Sequence, residues 1–98
     1  MLVKIHKSYR EVVAICDSEL LGKKFEKGKF QLDIKESFYN GEKVSKERLI
    51  EIIKKMSEED ATFNIVGKKA VNCALECGMI SEDGIKRIQG VPFAMVLL

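Results

Sequence analysis

The sequence lacks the features that indicate a long linker, a membrane segment or a disulfide framework. One proline and seven glycines among 98 residues exclude extended Pro/Gly-rich linkers. The longest nearly apolar run covers 91–98, far short of the roughly 20 residues in a membrane-spanning helix. Three cysteines, an odd number without a recognisable secretion signal, indicate a reducing compartment. We therefore expect a cytoplasmic protein that does not enter a membrane.

Charge of one sign is also scarce. Seventeen basic and fifteen acidic residues give a formal net charge of +2, too little to indicate a polyanionic partner. Nucleic-acid binding would require the positive charge to be concentrated on one face. An apolar fraction of 46% with 33% charged residues is typical of a globular chain, and the length predicts a single domain over 1–98.

Lysine and glutamate are abundant and glutamine is rare. Lys and Glu together supply 25 of the 98 residues, whereas Gln supplies two. Proteins from hyperthermophiles share this composition, because the desolvation of ions costs less at high temperature. The composition predicts a thermophilic source and carries no information about activity.

The first half of the chain predicts mainly strands. Short β-branched runs at 2–6 and 12–16 indicate an opening hairpin. Asp17 and Ser18 are candidate N-caps for a single helical turn, and a lysine-rich loop is expected over 22–29. The alternation over 30–35 predicts a strand with one buried face, on which Phe30 lies in phase with Leu32 and Ile34. Phe30 is therefore expected in the core.

The second half predicts two helices and further strands. Ser45 caps a helix over 46–58 whose apolar residues recur at helical spacing. A strand over 61–66 passes through Gly67 into a second helix that ends before Gly78. Two strands are then expected at 84–88 and 93–98, joined by a turn that keeps Pro92 outside the ladder.

These elements predict an α+β fold. The economical arrangement is a two-layer sandwich in which two amphipathic helices cover one face of a mixed, mainly antiparallel sheet. The apolar C-terminal strand is expected either inside the sheet or covered by another chain. A homodimer through that strand is one alternative.

No catalytic or metal site is predicted. Cys73 and Cys77 share a helical face, but neither they nor Cys16 show the close C-x2-C spacing of a structural zinc site. Unliganded cysteine is among the most buried residue types, so all three are interpreted as core residues. His6 is interpreted as a solvent-facing strand residue. We expect no cofactor, no metal and no catalytic residue.

The strongest binding signal is the lysine-rich segment around the expected loop. Lysines supply charge for phosphates, and nearby rings can stack on bases. Phe25 and Tyr39 are the expected exposed rings, and the alternative is a solvated loop anchored by its phenylalanines. The predicted binding residues of this segment are Lys23, Lys24, Phe25, Lys27, Lys29 and Tyr39.

A second binding signal lies where a strand runs into the second helix. Asn64 precedes Gly67, and Lys68 and Lys69 occupy the first helical turn. Free N–H groups at a helix start bind anions, and lysines would add charge. The alternative is that Gly67 permits tight helix–sheet packing and the lysines are solvated.

Four short motifs, taken in order, resemble one family. They read DSELLGKKF at 17–25, FYNG at 38–41, NIVGKKAV at 64–71 and GVP at 90–92. Together they are similar to the small archaeal family named domain of unknown function 424. The resemblance implies a compact two-layer α/β fold and an archaeal, cytoplasmic setting. It brings no activity, cofactor or catalytic residue.

The sequence therefore predicts a non-enzymatic protein that binds RNA or a ribonucleoprotein, with a link to translation. One alternative is a small-ligand-binding protein or enzyme with a pocket near Asn64, Gly67 and Tyr39. Another is an interaction module that uses the C-terminal strand.

Overall fold

A computed structural model describes residues 1–97. Within these residues the strands are β1 (Leu2–His6), β2 (Val12–Cys16), β3 (Lys24–Lys27), β4 (Phe30–Asp33), β5 (Glu42–Lys43), β6 (Thr62–Val66), β7 (Lys86–Ile88) and β8 (Val91–Val96). Six of them form the main sheet in the order β5-β1-β2-β6-β8-β7, and β3 and β4 form a separate hairpin. The β2–β6 pair is parallel and the other pairs are antiparallel.

In the described part of the chain, three α-helices accompany the strands. They are α1 (Glu36–Tyr39), α2 (Lys46–Glu58) and α3 (Lys68–Glu76), with 3-10 turns at Ser18–Leu20 and Glu82–Gly84. The Ser45 hydroxyl accepts a hydrogen bond from the Arg48 N–H at 3.2 Å, which fixes the start of α2. The predicted α2 is confirmed, and its buried stripe is Leu49, Ile52, Ile53 and Met56.

The larger core lies between the main sheet and helices α2 and α3. Alternate residues of the strands, such as Ile15, Phe63 and Ile65, are fully buried on this face. Because side chains of a strand point alternately to its two faces, Ala14, Cys16 and Val66 point the other way. The α+β class and the helix-on-sheet arrangement are confirmed.

The opposite face of the sheet carries a second cover that the sequence did not predict. The β3–β4 hairpin and α1 pack there around a smaller cluster that includes the buried Ile34 and Tyr39. Part of the expected loop at 22–29 is strand β3, and Phe38 and Tyr39 belong to the short helix α1, which the sequence did not predict. The chain needs this cover because the main sheet is apolar on both faces.

The C-terminal strand lies inside the sheet. β8 pairs with β6 on one side and with β7 on the other, so the strand is not at the edge. Pro92 is within β8, contrary to the prediction, and its carbonyl accepts a hydrogen bond from the Gly67 N–H at 2.9 Å. Leu98, the last residue of the predicted strand, lies outside the described residues. No helix within 1–97 is long and apolar enough to cross a membrane.

Candidate nucleic-acid interface

The β3–β4 hairpin places two pairs of residues on the face that it turns to the sheet. Phe25 lies opposite Leu32, and both pack against the smaller core. Two residues further on, Lys27 lies opposite Phe30 and therefore on the same face of the hairpin. Phe30 is nevertheless 73% exposed. The tip of the hairpin projects beyond the packed cluster that covers its base.

An open groove separates this tip from the edge of the main sheet, and we call it the hairpin groove. One side is formed by 27–31 and the other by β7 together with Phe93 of β8. Its volume is about 720 Å³, within the range of ligand-binding clefts. The Gln89 side chain donates to the Glu26 carbonyl at 2.8 Å, which ties the β7–β8 turn to β3 beside the groove.

The hairpin groove is positively charged and partly apolar. Lys27, Lys29, Lys86 and Arg87 line it, and among the described residues it has no carboxylate in its lining. The ion pairs found within 1–97 join Lys7 to Glu11, Lys46 to Glu76 and Arg48 to Glu51, so none of them neutralises a groove cation. The apolar walls are Phe30, Ile88 and Phe93. The groove combines unneutralised charge with an exposed ring.

The remaining residues of the predicted lysine-rich site lie elsewhere. Lys23 and Lys24 are exposed at the base of the hairpin, where Lys24 is opposite Asp33. Phe25 is half-buried as an anchor, and Tyr39 is 6% exposed. The prediction that Phe25 and Tyr39 are exposed rings is wrong, as is the prediction that Phe30 is in the core.

Sequence reasoning missed the exposed ring of the groove and the two cations of β7. The alternation over 30–35 predicts a core position for Phe30, although Phe30 follows Gly28 and Lys29 at the hairpin tip. Lys86 and Arg87 are not among the predicted binding residues. Adjacent cations on a short strand are a common feature of exposed sheet edges, and this pattern was the available signal.

The start of α3 is closed by a buried carboxylate. Asp17, 3% exposed, accepts hydrogen bonds from the Lys69 N–H at 3.0 Å and the Ala70 N–H at 2.8 Å. These donors were the expected anion-binding groups, and Asp17 already occupies them. Lys68 and Lys69 themselves are exposed. An external anion at this helix start would meet the lysine side chains rather than these two N–H groups.

Gly67 makes this arrangement possible. Its φ is +109°, and a Cβ there would lie 2.4 Å from Cγ of Asp17. A side chain would collide with the capping carboxylate and strain the backbone. The alternative interpretation, that Gly67 permits close packing at the helix start, is therefore supported by its contact with Asp17.

The predicted pocket near Asn64 is divided between two cavities. Asn64 and Tyr39 line a cavity of about 380 Å³ on the hairpin side of the sheet, together with Phe93 and Met95. Gly67 lines another of about 310 Å³, with Asp17, Lys68 and Lys69. Burial raises the pKa of Tyr39 to about 12, so its phenol stays protonated near neutral pH. The three residues do not line one site.

The cysteines and the histidine do not form a site within the described residues. Cys16 and Cys73 are buried, Cys77 is half-buried, and all three are free. His6 is not a solvent-facing residue, since it is half-buried, its Nε2 lies 2.8 Å from the Phe38 carbonyl and its ring stacks on Phe38. It lies at the other end of the β1–β2 pair from Cys16. Among residues 1–97 no cluster of three metal-ligating side chains is found.

Comparison with known proteins places this geometry in a family. A crystal structure of an uncharacterized conserved protein from Methanopyrus kandleri is similar to this chain, with 29% identity and a TM-score of 0.84. The match covers 98% of this chain and 90% of that chain. No curated protein matches. The family model described as "Protein of unknown function (DUF424)" matches residues 6–98, and the chain therefore belongs to the DUF424 family.

Proposed function

We propose that this protein is a non-enzymatic RNA-binding protein and that the hairpin groove is its RNA-binding surface. A base would stack on Phe30, while Lys27, Lys29 and Arg87 would contact phosphates. The observation that carries the proposal is the exposed ring among four cations that no carboxylate neutralises within the described lining. Aromatic stacking combined with phosphate contacts is how single-stranded nucleic acid is generally bound.

The distribution of charge supports this surface over another cleft of the molecule. Between β1 and α2 lies a cavity of about 340 Å³ that is also lined by cations. Its three cations, Lys7, Arg48 and Lys55, face four carboxylates, Glu11, Glu42, Glu51 and Glu59. A polyanion would be repelled there about as strongly as it is attracted. In the hairpin groove, by contrast, four cations lie together and no carboxylate is found in the described lining.

Each phosphate contact should appear in the salt dependence of binding. A protein that neutralises phosphates releases their counterions, and the logarithm of the affinity falls with the logarithm of salt concentration. The slope for a single strand is about −0.7 for each phosphate contacted. The three groove cations assigned to phosphates would together give a slope of roughly −2.

The test is fluorescence anisotropy of a labelled, mixed-sequence RNA oligonucleotide titrated with the protein over a series of salt concentrations. The double variant Lys27→Gln/Lys29→Gln should weaken binding and make the slope less negative by roughly 1.4, about 0.7 for each phosphate lost. The effect should be similar across RNA sequences, because phosphate contacts carry no sequence information.

The matched control is Lys54→Gln/Lys55→Gln. It removes the same charge from the exposed side of α2, where Lys55 lines the cavity with mixed charges. It should leave both the affinity and the slope nearly unchanged. Equal effects of the two variants would show that RNA responds only to overall charge, and absence of salt-sensitive RNA binding by the unmodified protein would refute the proposal.

A link to translation extends this proposal to RNA presented within a ribonucleoprotein. The hairpin groove is open, so it can receive RNA that is held in place by another particle. Cosedimentation with ribosomal subunits at low salt, lost in Lys27→Gln/Lys29→Gln and kept in the control variant, is the expected result.

A further inference from the structure

The hairpin groove shares a lining residue with a cavity on the α3 side of the sheet, and that cavity shares others with the cavity next to Asp17. Arg87 lines the hairpin groove and also a cavity of about 250 Å³ beside α3, which we call the α3-side cavity. Lys68 and Gly90 line the α3-side cavity and also the cavity next to Asp17. Shared lining residues therefore link three depressions around the β7–β8 turn. Their order is hairpin groove, α3-side cavity and start of α3.

We propose that this connected path binds one single strand of RNA, which passes from the hairpin groove over Arg87 to Lys68 and Lys69. The inference rests on the proposed function and extends it by naming the form of the RNA and a second contact region. Arg87 is central because it lies on the edge strand and faces both cavities.

The shape of the path requires an unpaired strand. It turns around the edge of a sheet, from the face that carries the hairpin to the face that carries α3. A nucleic-acid duplex is stiff over far longer distances than the width of this molecule, with a persistence length of about 150 base pairs for DNA. A base that stacks on Phe30 must also leave its helix, and splayed bases are available in single strands, loops and ends.

Lys68 and Lys69 are suited to be the second contact region. Both side chains are exposed, and none of the ion pairs within 1–97 includes them. The Lys69 N–H is bonded to Asp17, so the phosphate contacts come from the ammonium groups. Glu82 lines the α3-side cavity with Lys68, and Glu19 lines the cavity next to Asp17. Both carboxylates should weaken binding of a passing phosphate.

A second branch from the hairpin groove is less suited to phosphates. Lys86 and Phe93 are shared with the cavity that contains Asn64 and Met95. Within the described lining of that cavity Lys86 is the one cation. The route over Arg87 leads to three cations in all, so a phosphate backbone would find more contacts there.

The length of the RNA distinguishes binding to the hairpin groove alone from binding that also reaches the start of α3. We would measure anisotropy with RNAs of about four and about twelve nucleotides, within the range of single-strand site sizes. Lys68→Gln/Lys69→Gln should make the salt slope for the long RNA less negative by roughly 1.4. It should leave the short RNA, which the hairpin groove holds alone, unchanged. Lys54→Gln/Lys55→Gln is again the matched control.

Glu82→Gln supplies an effect of the opposite sign, which a folding defect would not imitate. It should tighten binding of the long RNA several-fold and leave the short RNA unchanged. Competition by a duplex of the same length should be weak. The smaller salt slope of Lys68→Gln/Lys69→Gln, the tighter binding by Glu82→Gln and the weak competition by a duplex together support the path.

Other outcomes overturn it in distinguishable ways. If Lys27→Gln/Lys29→Gln weakens both RNAs while Lys68→Gln/Lys69→Gln weakens neither, the hairpin groove binds RNA but the path is wrong. If Met95→Ala, rather than the Lys68→Gln/Lys69→Gln variant, separates long from short RNA, the strand takes the other branch. If neither RNA binds the unmodified protein, both proposals fail.

Discussion

The hairpin groove and the start of α3 lie on different faces of the sheet, and both carry lysines beside a turn. The hairpin groove is lined by four cations, and no carboxylate is found in its described lining. At the start of α3 the Asp17 carboxylate occupies two N–H donors. The first region leaves its charges available to a ligand, whereas the second satisfies its helix donors internally. Similar sequence signals thus accompany an open groove without a carboxylate in its described lining in one place, and helix N–H groups that are capped internally in the other.

The largest expected effect tests the structural contact. Gly67→Ala should lower the free energy of unfolding by about 3 kcal/mol or more, because it adds strain at positive φ and a collision with Asp17. The matched control is Gly28→Ala, where φ is +59° and nothing lies within 4 Å of the added Cβ. The control should cost only about 1 kcal/mol. Urea unfolding monitored by circular dichroism measures both.

A double variant separates strain from collision. In an Asp17→Ala background the collision partner is gone, so Gly67→Ala should cost less than it does alone. Residues in direct contact typically show coupling of about 0.5–3 kcal/mol. Strict additivity of the two substitutions would show that the carboxylate and Gly67 do not constrain one another.

The parts of the fold that local patterns determine could be predicted from the sequence. Helix α2 was predicted with its bounds because its cap, its apolar stripe and its end all lie within 45–58. The strands β1, β2 and β6 were predicted because each is a short run that contains β-branched residues. In each case neighbours in sequence supply the relevant physical information.

The candidate site depends on contacts between residues that are distant in sequence. Local sequence patterns do not predict such contacts. Asp17 was predicted to cap the turn that follows it, but its side chain caps α3 instead, 52 and 53 residues further on. The periodicity of Phe30 identified its face on the hairpin correctly. Its exposure depends on where the cover of that face ends, and this is a property of the tertiary structure.

The second prediction compares two phenylalanines of the same hairpin. Phe30→Ala should reduce RNA affinity by about 1–3 kcal/mol, the usual contribution of one stacked base. It should change the free energy of unfolding by less than about 0.5 kcal/mol, because the ring is 73% exposed. Phe25→Ala should instead destabilise the fold by about 2 kcal/mol, since Phe25 packs against the smaller core. Anisotropy and urea unfolding on the same samples separate the two effects.

The outcome that contradicts this comparison is equally clear. If Phe30→Ala destabilises the protein as much as Phe25→Ala does, Phe30 is an anchor in solution. The hairpin groove would then be closed, and the distinction between an open binding surface and a closed structural contact would be lost.

The smallest expected effect concerns alkaline pH and the end of β2 that adjoins Asp17. Burial, with a further contribution from the charge of Asp17, raises the pKa of the Cys16 thiol from 9.0 to about 11. Burial likewise raises the pKa of Cys73 to about 11. A thiol whose pKa is higher in the folded state favours folding while it is protonated, so its contribution is complete below pH 9 and is lost as the pH rises towards 11. The free energy of unfolding should therefore fall across this window.

In Cys16→Ala the fall should be shallower, because one of the two thiols no longer titrates, even if that variant is less stable at pH 7. Urea unfolding at intervals between pH 8 and 11 gives the two curves, and parallel curves would show that Cys16 contributes nothing to the pH dependence.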